Sequence, residues 1–347
     1  MKIKATILAL TGAAALTLTA CGGTTGPAAT ETPAAPDTTT ATPTDAAPTG
    51  DLPEAIKIGA ATIQSHPALD AAYDGFVQAL AEAGYVEGEN LTIDLQNANG
   101  DQQTLTNIAN NFASSDYDLF YAIATPTAQA LANVVDDRPV VFAAVTDPVE
   151  AGLVASWDAP DANITGVSDA NPMRDQLALI QEALPDVKSV GIVYASGEVN
   201  SEVQVREAET AGAELGIEIL SATVTNTSEV AQAAESIKPD AFLVTTDNTV
   251  VSGVESLIQV AEKNQIAVFA SDEGTVERGA AAGMSVSYPQ QGRDAAAVAL
   301  KLLAGTPASE IPVATQEKFD VFVNEAGAEA QGFELPASIL DRAATKF

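Results

Sequence analysis

Residues 118–127 read DLFYAIATPT, and residues 240–249 read DAFLVTTDNT. In both, an acid opens a run of apolar residues that ends in hydroxyl and helix-starting chemistry. The Asp, the Phe two places on and the final Thr keep one register: Asp118, Phe120 and Thr127 against Asp240, Phe242 and Thr249. Downstream, Val141-Phe142-Ala143 with Thr146-Asp147 is echoed by Val268-Phe269-Ala270 with Ser271-Asp272. A short apolar run that gives way to N-cap residues is a strand feeding a helix. Its return at matching places predicts a duplicated lobe.

The segments around these motifs alternate in the same way. Strands are expected at 56–61, 91–95, 118–123 and 139–143, with helices at 68–83, 102–112 and 126–135. After Asn163–Val167 the pattern restarts. Helices are expected at 173–183, 202–215, 228–237 and 249–263, and strands at 189–194, 217–220, 241–245 and 267–269. A final stretch from Gly283 adds a helix over 292–303, a strand over 319–323 and a short helix over 336–344. Strands separated by helices of ten or more residues form right-handed βαβ units and a covered, mostly parallel sheet. The fold class is therefore α/β, with two Rossmann-like, doubly wound parallel-sheet lobes.

Composition narrows the function. The 347 residues are 46% hydrophobic, enough for a large core in two lobes. Lys and Arg number 15 against 47 Asp and Glu, a formal charge of −32, which excludes phosphate-backbone partners and hence nucleic acid. One Cys and one His exclude an intrachain disulfide, a Cys/His zinc cluster and, once that Cys carries lipid, a Cys–His nucleophile pair. No metal and no cofactor are expected.

The single Cys has its own context. Lys2 and Lys4 precede the apolar run 7–18, which is short for a permanent membrane span, and Leu18-Thr19-Ala20-Cys21-Gly22-Gly23 follows. Small residues before a Cys resemble a bacterial lipobox, which implies a signal peptide over 1–20 and acylation, palmitate included, at Cys21. Residues 22–51 hold no aromatic, Val, Ile, Leu, Met, Lys or Arg, so nothing there offsets the cost of ordering. This stretch reads as a Pro/Thr/Ala tether. The expected location is the extracytoplasmic face of the cell membrane, held by lipid.

Ligands of open parallel sheets sit beyond the carboxyl ends of the strands. Two facing lobes make that edge a cleft, and the strand exits supply its candidates: Gln64, His66, Thr125, Thr127, Thr146, Asp147, Glu198, Asn200, Asp247, Asn248, Asp272 and Tyr288. The set is rich in carboxylates, amides and hydroxyls and nearly free of cations, which favours a ligand with an ammonium group. Thr125 as N-cap and Pro126 as N1 would open a helix whose N-terminus receives a carboxylate without a cation. The matching place in the other lobe carries Asp247, so a zwitterion bridging the cleft fits. Each residue also has a plainer reading. Thr125, Asp247 and Asp272 can be simple caps, His66 a structural residue at a helix start, and Tyr194 and Tyr288 packing between lobes.

The motifs Ser65-His66-Pro67-Ala68-Leu69-Asp70, Gly84-Tyr85-Val86-Glu87-Gly88-Glu89-Asn90, Ala124-Thr125-Pro126-Thr127-Ala128-Gln129 and Val145-Thr146-Asp147-Pro148-Val149 occur in order. Asn163–Val167, Glu198-Val199-Asn200-Ser201 and Thr246-Asp247-Asn248 follow them. The chain resembles ABC-transporter substrate-binding lipoproteins of the tryptophan/tyrosine-uptake type, over nearly all of 54–347. The resemblance implies a type I periplasmic-binding-protein fold with a three-stranded hinge near Gly166-Val167-Ser168, Ser287-Tyr288 and Gln316–Lys318. It implies lobes of 54–167 plus 289–316 and 168–288 plus 317–347, with the tether at 21–53. It further implies that strand-end Thr125 and Thr146 receive the ligand carboxylate and Asp247 the ammonium. The expected function is an ABC importer's solute receptor for an amino acid, working as a monomer with a permease and its ATPase. The rivals are a sensor for a membrane signalling partner, a binder of a sugar, nucleoside or peptide, and an extracellular enzyme. The last is disfavoured by the lack of G-x-S-x-G, Walker A and G-x-G-x-x-G motifs.

Overall fold

A computed structural model describes residues 51–160 and 162–347. The expected leader, the lipidation of Cys21 and nearly all of the tether lie outside the described residues. Among the described residues no helix is long and apolar enough to cross a membrane.

The chain begins as β1 (Ile56–Thr62), α1 (Pro67–Glu82), β2 (Leu91–Asn97), α2 (Gln102–Ala113), β3 (Leu119–Ile123), α3 (Thr125–Ala132), β4 (Val140–Val145) and β5 (Ile164–Ser168). It continues as α4 (Met173–Ala183), β6 (Ser189–Ala195), α5 (Val199–Leu215), β7 (Glu218–Val224), α6 (Val230–Ser236) and β8 (Ala241–Val244). Then come α7 (Asn248–Ser252), α8 (Val254–Asn264), β9 (Ala267–Ala270), α9 (Glu273–Glu277), β10 (Ala282–Ser285) and α10 (Tyr288–Leu303). The end holds β11 (Ala314–Thr315), β12 (Asp320–Val323), α11 (Glu325–Ala330), α12 (Ala337–Leu340) and β13 (Thr345–Lys346).

Two sheets result. The first runs β2-β1-β3-β4-β5-β11, and the second β7-β6-β8-β9-β10-β12-β13. Among the described strands every pairing is parallel except β10 with β12. The motifs at 118–127 and 240–249 fall on β3 and β8, each third from the same edge of its sheet. Strands β3, β4 and β5 are buried at every position, as strands covered on both faces must be, and their unbroken apolar runs follow from that.

The chain passes between the two sheets three times, after β5, after β10 and after β11. After β10, in the second sheet, α10 packs lengthwise on α1 of the first. Two glycines allow this. A Cβ at Gly75 would stand 2.1 Å from the Pro289 carbonyl oxygen, and one at Gly292 would stand 2.0 Å from that of Ala72. The helix backbones therefore touch, which fixes the return of the chain to the first lobe.

Local differences from the sequence reading have local causes. The helix expected over 249–263 is two, α7 and α8, because Gly253 leaves helical geometry between them. The helix expected to start at 292 starts at Tyr288, capped by Ser287 Oγ. Thr125 is not the N-cap of α3 but its first residue. The cap is Ala124, held at φ +77°, a left-handed conformation that an alanine gives no sequence sign of.

Candidate functional site

The carboxyl ends of both sheets face one another, and the lobes touch there. Gln64 Nε2 donates to the Asn248 carbonyl. His66 Nε2 lies 3.4 Å from Asn248 Oδ1, and the Thr146 and Thr246 hydroxyls are 3.5 Å apart. Between these contacts the lobes close on a narrow cavity of about 10 Å³. Its polar wall is His66, Asp169, Thr246, Asn248, Asp272 and Tyr288, and its apolar wall is Ala68, Leu69, Ala144 and Val251.

Asp169 follows β5 and is 2% exposed. Its carboxylate accepts hydrogen bonds from the Tyr288 phenol (2.9 Å) and Thr146 Oγ1 (3.2 Å). Burial raises its pKa, and those two bonds oppose the rise only in part. The same burial, with the Asp169 charge beside it, holds the Tyr288 phenol well above its ordinary value. Asp272 caps α9 through Oδ1, which accepts from the Thr275 N–H at 2.8 Å. Its Oδ2 is buried with no partner, as is His66 Nδ1. Burial lowers the His66 pKa, and nearby Asp272 works against that. Arg278 is near enough to push His66 down further, but its guanidinium is spent on Glu255 and the Val251 carbonyl. The site thus buries two carboxylates whose charge no cation in the cavity wall balances.

Two features hold the wall in shape. Ala144 has φ +56°, and the β4–β5 register shifts between Phe142 and Val145. Gln291 of α10 spans the distortion: its Oε1 accepts from the Ala144 N–H (3.1 Å), and its Nε2 donates to the Ser168 carbonyl (2.7 Å). Strained backbone of this kind persists only where neighbours enforce it.

The structure brings His66, Asn248, Asp272 and Tyr288 into the cavity wall. Thr146 stands one bond behind, on Asp169. The other candidates are elsewhere. Asp247 does not offer a free carboxylate to the cleft. Its Oδ2 accepts from the Ala195 N–H and Ser201 Oγ, both at 2.6 Å, and its Oδ1 caps α7 at Val250 N–H (2.7 Å). Burial and the nearby Glu198 push its pKa up to about 7. Glu198 is likewise occupied, by Asn248, Thr249 and Asn200 donors of its own lobe. Asp147 folds back on the Val149 and Glu150 N–H groups. Gln64 bridges the lobes outside the cavity wall. Thr125 and Thr127 are buried, with unpartnered hydroxyls, and Asn200 has an unpartnered Oδ1, but none of the three lines the cavity.

Sequence reasoning missed Asp169, Leu69 and Thr246. Asp169 directly follows a strand, as the other candidates do, but the resemblance makes the neighbouring Gly166-Val167-Ser168 a hinge crossing.

Comparison with known proteins agrees with this geometry. Residues 57–347 match the family described as ABC transporter substrate binding protein. A tyrosine-binding protein of Clostridioides difficile is 40% identical over 270 residues, 77% of this chain and 78% of the relative. The crystal structure of an ABC domain in complex with L-Trp from Streptococcus pneumonia is 33% identical. It covers 84% of this chain and 100% of its own, with a TM-score of 0.82. A ligand-free, open substrate-binding protein with adhesive properties from Clostridium difficile is 39% identical, covers 84% and 98%, and reaches 0.64. In this chain the lobes touch across the cleft. Sheets, cleft and matches together place it in the ABC transporter substrate-binding protein family, extracytoplasmic receptors that hold a small ligand and work with a membrane permease.

Proposed function

We propose that this protein captures an α-amino acid with an aromatic side chain and delivers it to an ABC importer. The observation that carries the reading is the pair of buried carboxylates, Asp169 and Asp272, in a wall without a cation. An uncompensated buried charge costs several kcal/mol, and a ligand ammonium placed between these acids removes that cost. The Tyr288 phenol and Thr146 hydroxyl orient Asp169 toward it. The tyrosine and L-Trp ligands of the relatives support an aromatic side chain. A sugar is disfavoured, because Tyr288 is the one Phe, Tyr or Trp in the wall.

No bond is made or broken in this role. Ligand binding draws the lobes together, and the permease reads the closed form. The protein is held outside the cytoplasm by lipid on Cys21, which leaves the body free to sample the space above the membrane. Acyl labelling of cells carrying the natural chain or Cys21→Ser checks that anchor: the label should be lost with the thiol.

Titration calorimetry of residues 52–347 against the amino acids, nucleosides and hexoses tests the ligand class. An aromatic amino acid should bind, and Asp169→Asn should weaken it at least 30-fold, about 2 kcal/mol or more for an unpaired buried charge. Binding confined to uncharged compounds would end the proposal.

A further inference from the structure

Next to the ligand cavity the first lobe holds another, of about 170 Å³, between the opening turns of α1 and the ends of β1, β2 and β3. Leu69, Leu95 and Ile123 give it an apolar lining, and Thr62, Asp70, Tyr73 and Asp74 complete the wall. Leu69 is the one residue that belongs to both walls, and it is 3% exposed. The two spaces are therefore a single side chain apart. Leu69 and Tyr73 are four residues apart on α1 and share a face, so the way past Leu69 leads along the helix to the Tyr73 ring.

The ligand cavity is itself polarised. Its acids and Tyr288 take the ammonium, and the side chain of the ligand is left to the apolar wall that Leu69 shares with Ala68, Ala144 and Val251. Leucine has few staggered conformers, and this one is packed from both sides. The geometry points to Leu69 as the residue that sets how long a side chain the receptor accepts, with the cavity behind it as a latent side-chain subsite. The ligands it would take are aromatic amino acids bearing a hydrogen-bond donor at the far end of the ring. Asp70 and Asp74 can accept from such a donor and would repel a carboxylate in its place. This inference rests on the amino-acid reading above.

The test is calorimetric titration of the natural protein, Leu69→Ala and Leu69→Val with leucine, tyrosine and 4′-hydroxybiphenylalanine, a longer probe ending in a phenol. Leu69→Ala should raise the affinity for the long probe relative to leucine by about tenfold or more, since one methylene in an apolar pocket already shifts selectivity about tenfold. Leu69→Val, a smaller truncation that keeps the fold if the alanine does not, should move the ratio the same way by less. Adding Leu95→Trp to Leu69→Ala should return the ratio toward its natural value, because Leu95 lines only the outer cavity and is 41% exposed, with room for a larger ring. An unchanged ratio in both truncations would overturn the gate while leaving the ligand class intact. If the natural protein binds no amino acid, the ligand class fails, and the subsite with it.

Discussion

Asp169 and Asp247 are both aspartates buried at strand exits, and both have pKa values raised first by burial. Their surroundings give them opposite work. Asp247 receives two backbone N–H groups and a hydroxyl, all from its own lobe, and so joins β6 to α7. Asp169 receives two hydroxyls, one from Thr146 of the first sheet's β4 exit and one from Tyr288 of α10, and faces a cavity. An acid that helix N–H groups have already claimed is a structural part. An acid held chiefly by hydroxyls at the edge of a void has charge left for a ligand.

The largest effects should come from exchanging these acids for their amides. Asp169→Asn should lower ligand affinity at least 30-fold, about 2 kcal/mol or more, while leaving the ligand-free protein at least as stable, because it removes an unbalanced buried charge. Asp247→Asn should do the reverse. It weakens bonds accepted by a charged group, at about 1.5–3 kcal/mol each at most, and should lower the denaturation midpoint while the folded fraction binds as before. Calorimetry and urea unfolding on the two variants decide the matter. If Asp247→Asn abolishes binding in a fully folded protein, the assignment is inverted.

How much of this could be read from the chain follows from the same contrast. The alternation of strands and helices was legible because β3, β4, β8 and β9 are covered on both faces and must be continuous apolar runs. The repeat at 118–127 and 240–249 was legible because equal places in equal sheets make equal demands. The division of labour between the acids was not. Asp247 sits before Asn248-Thr249-Val250, a plain cap position, yet only coordinates show that Ala195 and Ser201 close on its second oxygen. Asp169 gains its role from Tyr288, which is 119 positions away in sequence. Ala124 and Ala144 adopt left-handed backbone under tertiary pressure, and a Cβ-bearing residue does not advertise that.

Acidity should sharpen the comparison next. A ligand ammonium favours ionised Asp169, whose pKa in the empty protein is raised. Affinity should therefore be flat above that pKa and fall about tenfold per unit below it. Asp247 should act on stability instead. An acid whose folded pKa is raised binds extra protons when folded, so its contribution to stability is greatest below the ordinary aspartate pKa and declines as pH rises toward about 7. Unfolding free energies measured from pH 4 to 7 should show that decline in the natural protein and a flatter profile in Asp247→Asn. A steeper decline in the variant would contradict it.

The contacts between lobes extend the contrast to groups without buried charge. Gln64→Ala removes the donor that meets the Asn248 carbonyl only when the lobes are together. One neutral hydrogen bond contributes about 0.5–1.5 kcal/mol. Affinity should fall by a few-fold, with the unliganded stability of each lobe little changed. A loss as large as that of Asp169→Asn would mean that closure, not the ammonium, dominates binding.

The smallest effect should come from the contact that looks strongest on paper. Arg206 Nη2 and Glu150 Oε2 are 2.8 Å apart and join the lobes, the one ion pair among the described residues to do so. Their side chains are 55% and 56% exposed, so water has already taken most of the gain. Exposed pairs contribute about 0.2–1 kcal/mol. Glu150→Gln should thus shift ligand affinity by no more than about fivefold, and 1 M salt, with a Debye length of about 3 Å, should erase the shift. The deficit of Asp169→Asn, set in a cavity that mobile ions do not reach, should persist in the same salt. If salt erased both alike, Asp169 would be acting from the surface, and the argument from its burial would fail.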